Sequence, residues 1–136
     1  MNNIGILYSI LQKNDLAEKY FLEAIKNNDK DAIFNLGLLY KNLLKYKRAE
    51  EYLLKSDLNN PEVLFQLGLV FDLQNNLSNA IKYYEKAIEK EHVNAMHNLA
   101  MFLIHILIVF LILATLSLNI INTFNSLISY LNFVHC

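Results

Sequence analysis

Charge is missing from the last third of this chain. All 25 charged residues of the 136 lie between Lys13 and Glu91, and nothing from His92 onward carries one. The other scarcities are one proline, three glycines, no tryptophan, and a single cysteine at the last position, Cys136. A lone cysteine excludes an internal disulfide and leaves no pointer to an oxidising compartment. So little glycine and proline, at 54% hydrophobic content, excludes a turn-rich sheet or a disordered chain and favours long helices. A net charge of −1 gives no electrostatic footprint for nucleic acid. Residues 1–11 lack the basic region and apolar core of a secretory signal, so the expectation is a chain that is not secreted.

Chemistry is equally scarce. There is no phosphate-cradling glycine loop, no serine elbow, and no pair of acids outside solvated faces such as Glu50-Glu51. His92, His97, His105 and His135 are scattered, with no carboxylate or thiolate grouped around them, a poor metal site. Lys45-Tyr46-Lys47-Arg48 runs straight into Glu50-Glu51 and reads as a solvated helix start. Asn76-Leu77-Ser78 matches a glycosylation sequon in a turn expected to be cytosolic. No enzymatic activity, cofactor or metal is expected.

What is present is repetition. Leu36-Gly37-x-x-Tyr40 returns as Leu67-Gly68-x-x-Phe71 and, more loosely, as Ile4-Gly5-x-x-Tyr8. Twelve residues after each glycine comes Ala17, Ala49 or Ala80, and seven later Ala24, Ser56 or Ala87. From Gly5 to Gly37 and from Gly37 to Gly68 the steps are almost equal. A period of this size marks a helical solenoid whose units cannot bury a core alone and must stack. Each unit reads as two antiparallel helices, A and B. The units span about 1–27, 31–57 and 61–91, with Asp31 suited to an N-cap, Pro61 to a first helical position, and a partial fourth unit from Asn94. The glycines are expected where helix B crosses helix A closely, with Ala49 and Ala80 on the facing side. Tyr20 and Phe21, Tyr52 and Leu53, Tyr83 and Tyr84 are then expected to fill the gap between successive units.

The order Leu-Gly-x-x-Tyr, then alanine, an aromatic or leucine four later, a small residue three after that, and Pro61 closing the second unit resembles the tetratricopeptide repeat. The resemblance covers about residues 1–104. Residues 92–99, His-Val-Asn-Ala-Met-His-Asn-Leu, are closer to the related Sel-like repeats. The units are shorter than the family period of 34, and the glycine usual in the A–B turn is replaced by Gln12, Leu44 and Asn75. The resemblance implies an all-α, right-handed superhelical solenoid of antiparallel helix pairs, here followed by a hydrophobic helical tail. It also implies that the A helices line a concave groove for a protein or peptide. Helix A is apolar almost all round, so Phe34, Leu38, Phe65 and Leu69 are expected to face that groove, with Asn35, Gln66 and Asn98 as its polar groups. That stretch has no lysine–asparagine charge clamp, which points to an apolar or helical ligand. The rival function is structural: a segment of a longer array whose end units stack on neighbours.

Residues 99–118 are an uncharged stretch with fourteen Leu, Ile, Val or Phe, interrupted by His105, Thr115 and Ser117, and residues 119–136 continue uncharged. Three readings stand open. The stretch has the length and apolarity to span a bilayer, with Lys82, Lys86 and Lys90 holding the repeats on the cytoplasmic side as a tail-anchored adaptor. Alternatively residues 105–118 are a decayed helix B packed back on the solenoid, since 122–127 echoes 94–99. Or the chain is a fragment with a shifted reading frame, because Met1 opens where a unit is already under way.

Overall fold

The computed structural model describes residues 1–134, with side chains through Tyr130; His135 and Cys136 lie outside the described residues. The described residues form seven helices: α1 (Asn2–Ile10), α2 (Asn14–Lys26), α3 (Asp31–Asn42), α4 (Tyr46–Leu54), α5 (Pro61–Leu73), α6 (Leu77–Ile88) and α7 (Val93–Val134). The first six pair as three A–B hairpins. The A helices α1, α3 and α5 lie side by side in that order, and α2 and α4 each also pack on the A helix that follows. This is the all-α solenoid expected from the repeats. Residues 1–99 are one compact unit, and α7 carries the chain onward from Ala100 as a second.

Each hairpin closes with one and the same device. Gln12, Leu44 and Asn75 take left-handed φ values of 57°, 58° and 57°. The next amide reaches back to the helix: Lys13 to the Tyr8 carbonyl, Lys45 to Tyr40 and Asn76 to Phe71, all at 2.9 Å. A second bond runs from the left-handed residue's own amide to Ser9, Lys41 or Asp72. This is a Schellman stop, which saturates the last carbonyls of the helix and favours glycine at its left-handed position. Here that position holds three residues with side chains, at a cost of roughly 1–2 kcal/mol each and least for asparagine. Leu44 is 71% exposed, so its side chain recovers little by packing.

The B helices end less uniformly. The same stop recurs at Asn28 and Glu91, whose φ is 62°. In the second unit α4 halts at Leu54, and a six-residue connection leads to an Asn60 cap whose Oδ1 accepts from the Glu62 amide at 2.9 Å, with Pro61 in the first turn. Asp31, read from sequence as an N-cap, is instead the first residue of α3. The acceptor is Asp29 Oδ1, which takes the Asp31 amide at 3.1 Å. Either acid could serve, and the left-handed turn at Asn28 puts the first of them in place.

The glycines are where they are for space; none has positive φ. A methyl group on Gly5 would lie 2.6 Å from Phe21 Cδ1, on Gly37 2.9 Å from Leu53 Cγ, and on Gly68 2.5 Å from Tyr84 Cδ1. This corrects the expected facing partner. Ala17, Ala49 and Ala80 sit one turn earlier on the same stripe of helix B, and the atoms over each glycine belong to the large residue four positions on. Phe21, Leu53 and Tyr84 therefore lock helix B to helix A inside one unit. A second contact repeats beside it: Tyr8 stacks on Tyr20 at 5.4 Å, Tyr40 tilts against Tyr52 at 5.4 Å, and Phe71 stacks on Tyr83 at 5.3 Å. Such pairs contribute about 0.5–1.5 kcal/mol beyond the area they bury.

Polar contacts tie one unit to the next. The Tyr40 hydroxyl donates to Glu18 Oε1 at 2.8 Å, and Arg48 reaches both the hydroxyl at 3.4 Å and Glu18 at 3.6 Å. Burial, then the Glu18 carboxylate, pushes the Tyr40 phenol up to about 12. One unit on, Phe71 has no hydroxyl, and Gln74 Nε2 takes over by donating to Glu50 Oε2 at 3.0 Å.

Helix α7 opens in register with the repeats. Ala95 is fully buried at the place of Ala32 and Val63, and Leu99 packs on the core. The turn of a fourth hairpin is then absent: residues 105–118 do not form the decayed helix B considered above but continue α7 without a break. From residue 103 to Tyr130 every side chain is exposed. The hydroxyls of Thr115, Ser117 and Thr123 satisfy themselves on carbonyls three residues back, each at 2.8 Å.

Three outcomes follow from the hairpin geometry, all read from urea unfolding by tyrosine fluorescence in mild non-ionic detergent. Gly68→Ala should lower stability by about 1–3 kcal/mol, since its neighbour is a rigid ring. Gly37→Ala should cost less, because Leu53 can change rotamer. Leu44→Gly should raise stability by about 0.5–1 kcal/mol, the relief of left-handed strain being partly offset by a more flexible unfolded chain.

Candidate partner-binding surface

A residue on one face of a helix recurs every three or four positions. Phe34 and Leu38 on α3 and Phe65 and Leu69 on α5 therefore fall at matching places in adjacent A helices. Phe34, Leu38 and Leu69 are half-buried, with their remaining area open. Phe34 also lines a depression of about 570 Å³ with Lys55, Asp57, Asn60 and Val63 at the junction of units two and three. Phe65 differs from the expectation. It is 8% exposed, stacked on His92 at 4.5 Å and tilted against Tyr84 at 6.1 Å. Phe65 is core, covered by His92, the residue that caps α7.

The amides are engaged between units. Asn35 Nδ2 donates to Asn2 Oδ1 on α1 at 2.9 Å. Gln66 sits at the centre of a longer chain: Lys41 Nζ donates to its Oε1 at 2.6 Å, and its Nε2 donates to Glu62 Oε1 at 2.7 Å. Glu62 Oε2 then meets His92 Nε2 at 2.9 Å. The other ring nitrogen, Nδ1, accepts the Ala95 amide at 3.2 Å and caps α7. With Nδ1 an acceptor, the neutral ring carries its proton on Nε2 and donates to Glu62. Asn98 neighbours the Tyr84 phenol but leaves that buried hydroxyl without a hydrogen bond. Burial pushes the phenol up to about 12.

Lys41, Glu62 and His92 thus join the surface although sequence reasoning passed them over. The i,i+4 spacing of Glu62 and Gln66 is legible, but Lys41 reaches them from α3 and His92 from the cap of α7, both remote in the sequence. Burial lowers the Lys41 ammonium, with Glu62 opposing. Burial raises the Glu62 carboxyl, yet bonds from Gln66 and His92 and the Lys41 charge outweigh it and hold it below its usual value. The remaining repeat positions serve the interior: Gly5, Ala17, Ala24, Leu36, Gly37, Tyr40, Ala49, Leu67, Gly68, Phe71, Ala80 and Ala87 are all buried, and Tyr8 is half-buried in its stack. The surface presents apolar side chains between fixed amides and one partly desolvated lysine, an arrangement able to hold a ligand by shape and hydrogen bonding.

Comparison with known proteins agrees with this geometry. Tetratricopeptide repeat models match residues 1–31, 30–62 and 61–91. No curated protein matches the chain. Among solved structures it is similar to the crystal structure of MamA, with 26% identity and a TM-score of 0.62, over 68% of this chain and 57% of that one. The chain therefore spans less than two thirds of that solved relative. With its three units each matched in turn and the same stacked hairpins observed, the chain belongs to the tetratricopeptide repeat family.

Proposed function

We propose that the A-helix layer of residues 1–98 binds an apolar helix or extended peptide of a protein partner, without chemistry of its own. The repeats make the chain a protein–protein interaction scaffold. The observation that carries the finer reading is the half-open strip of Phe34, Leu38 and Leu69 set between amides already held in place by Asn2, Lys41 and Glu62. Fixed donors and acceptors beside apolar contact area lose little freedom on binding, which favours affinity. Asn35, Gln66 and Asn98 orient the ligand's backbone. Phe65 contributes from below by supporting the surface.

We also propose that α7 lodges in a bilayer with the repeats on the cytoplasmic side. It is long and apolar enough to cross a membrane, and from residue 103 to Tyr130 none of it is buried in protein. The fourteen large apolar residues of 99–118 favour insertion by roughly 4–8 kcal/mol.

Replacing Leu38 and Leu69 together by asparagine should abolish capture of the partner in a pull-down while helical content is kept. Undiminished capture would refute the surface assignment. On carbonate extraction of membranes from expressing cells, the chain should stay in the pellet; release into the supernatant excludes a spanning helix.

A further inference from the structure

Helix α7 is not uniform around its circumference. Thr115, Asn119, Asn122, Ser126 and Ser129 follow one another at steps of four, three, four and three. That spacing keeps all five on one side of the helix over roughly four turns. The opposite side carries Leu113, Ile120, Phe124 and Leu127. Both sides are exposed. The asparagines set the polar stripe apart. Hydroxyls on α7 can close on their own helix, as those of Thr115, Ser117 and Thr123 do. A carboxamide cannot do so fully. Its N–H groups can reach a carbonyl one turn back, but its oxygen finds no donor, because inside a helix every backbone N–H is already used.

The exposed length of α7, residue 103 to Tyr130, is at 1.5 Å per residue about 42 Å, the thickness of a bilayer with its headgroups. So placed, Tyr130 reaches the far headgroup level, where tyrosine is enriched. Asn119 then lies within about one turn of the midplane and Asn122 within about two. Lipid offers no donor at that depth, and a polar side chain there turns to another helix. Which helix follows from orientation and depth. Every copy of the chain has Lys82, Lys86 and Lys90 before the span and no basic residue after it, so all copies insert the same way round. Two copies side by side are parallel, with equal residues at equal depth. A carboxamide is donor and acceptor at once, and so is its own complement. We infer, on the bilayer reading of α7 proposed above, that two copies of the chain pair through this stripe. Asn119 meets Asn119 and Asn122 meets Asn122, while Ile120, Phe124 and Leu127 face lipid. The alternating steps of three and four are those of a left-handed helix pair crossing at about 20°. A helix of another sequence would have to repeat both amides at the same two depths.

Membranes from cells expressing the full chain in a Cys136→Ser background provide the test. Ser126→Cys, on the stripe, should cross-link under mild oxidation to a product of twice the chain mass, and Phe124→Cys, on the lipid side, should not. Asn119→Leu with Asn122→Leu makes α7 more apolar and keeps it in the membrane, yet should cut the Ser126→Cys product by about tenfold or more. The pairing is overturned if the Ser126→Cys chain stays in the carbonate-resistant pellet without cross-linking. A product of any other mass, an equal yield from Phe124→Cys, or a yield that survives the leucines overturns it as well. Release of the chain by carbonate is a different failure: it removes the bilayer reading, and the pairing with it.

Discussion

Everything in residues 1–99 depends on three crossings in which a large side chain from helix B lies directly over a glycine of helix A. Phe21 on Gly5, Leu53 on Gly37 and Tyr84 on Gly68 bring the two backbones of each hairpin close enough that no methyl group fits between. That approach sets the distance at which Tyr8 meets Tyr20, Tyr40 meets Tyr52 and Phe71 meets Tyr83. It also lets each finished hairpin offer its neighbour a surface of constant shape. Without constant shape, an evenly repeating sequence would not build one continuous core.

Glycine is distributed by volume here, not by backbone freedom. All three glycines occupy helix interiors, where they cost about 0.5–1 kcal/mol in chain entropy relative to alanine, while five left-handed turn positions carry ordinary side chains. The molecule tolerates strain at its turns because each is closed by paired backbone hydrogen bonds. It could not tolerate side chains at its crossings, because close-packed interiors leave no room to relax.

The fold was legible in the sequence because its determinants are local and recur: the glycine spacing, the alanines, the aromatics and Pro61 each report a position within one unit. The identity of the residue above each glycine was not. Ala49 and Leu53 share a stripe of helix B, and only the rotational setting of the pair decides which lies over Gly37. The candidate surface on the A helices was legible by position and less so by exposure. Phe65 follows the same pattern as Phe34, yet His92 covers it, and that cover depends on where α7 begins. The chain from Lys41 through Gln66 and Glu62 to His92 runs across three helices, so its members carry no common local signal. The uncharged tail was visible as a composition; that it continues as one helix without a turn was not, because apolar runs carry no period that distinguishes one helix from two.

The two kinds of connection differ in a way that bears on how such chains change length. Each A-to-B turn has three residues, with both its bonds and its left-handed residue fixed, so an inserted residue there would misplace helix B against its glycine. The B-to-A connections have four, six and four residues, and the longest follows the shortest B helix. Insertions and deletions can accumulate in these connections without disturbing any crossing. Units of unequal size can then share one stack, and the chain can drift from a uniform period while its core stays in register.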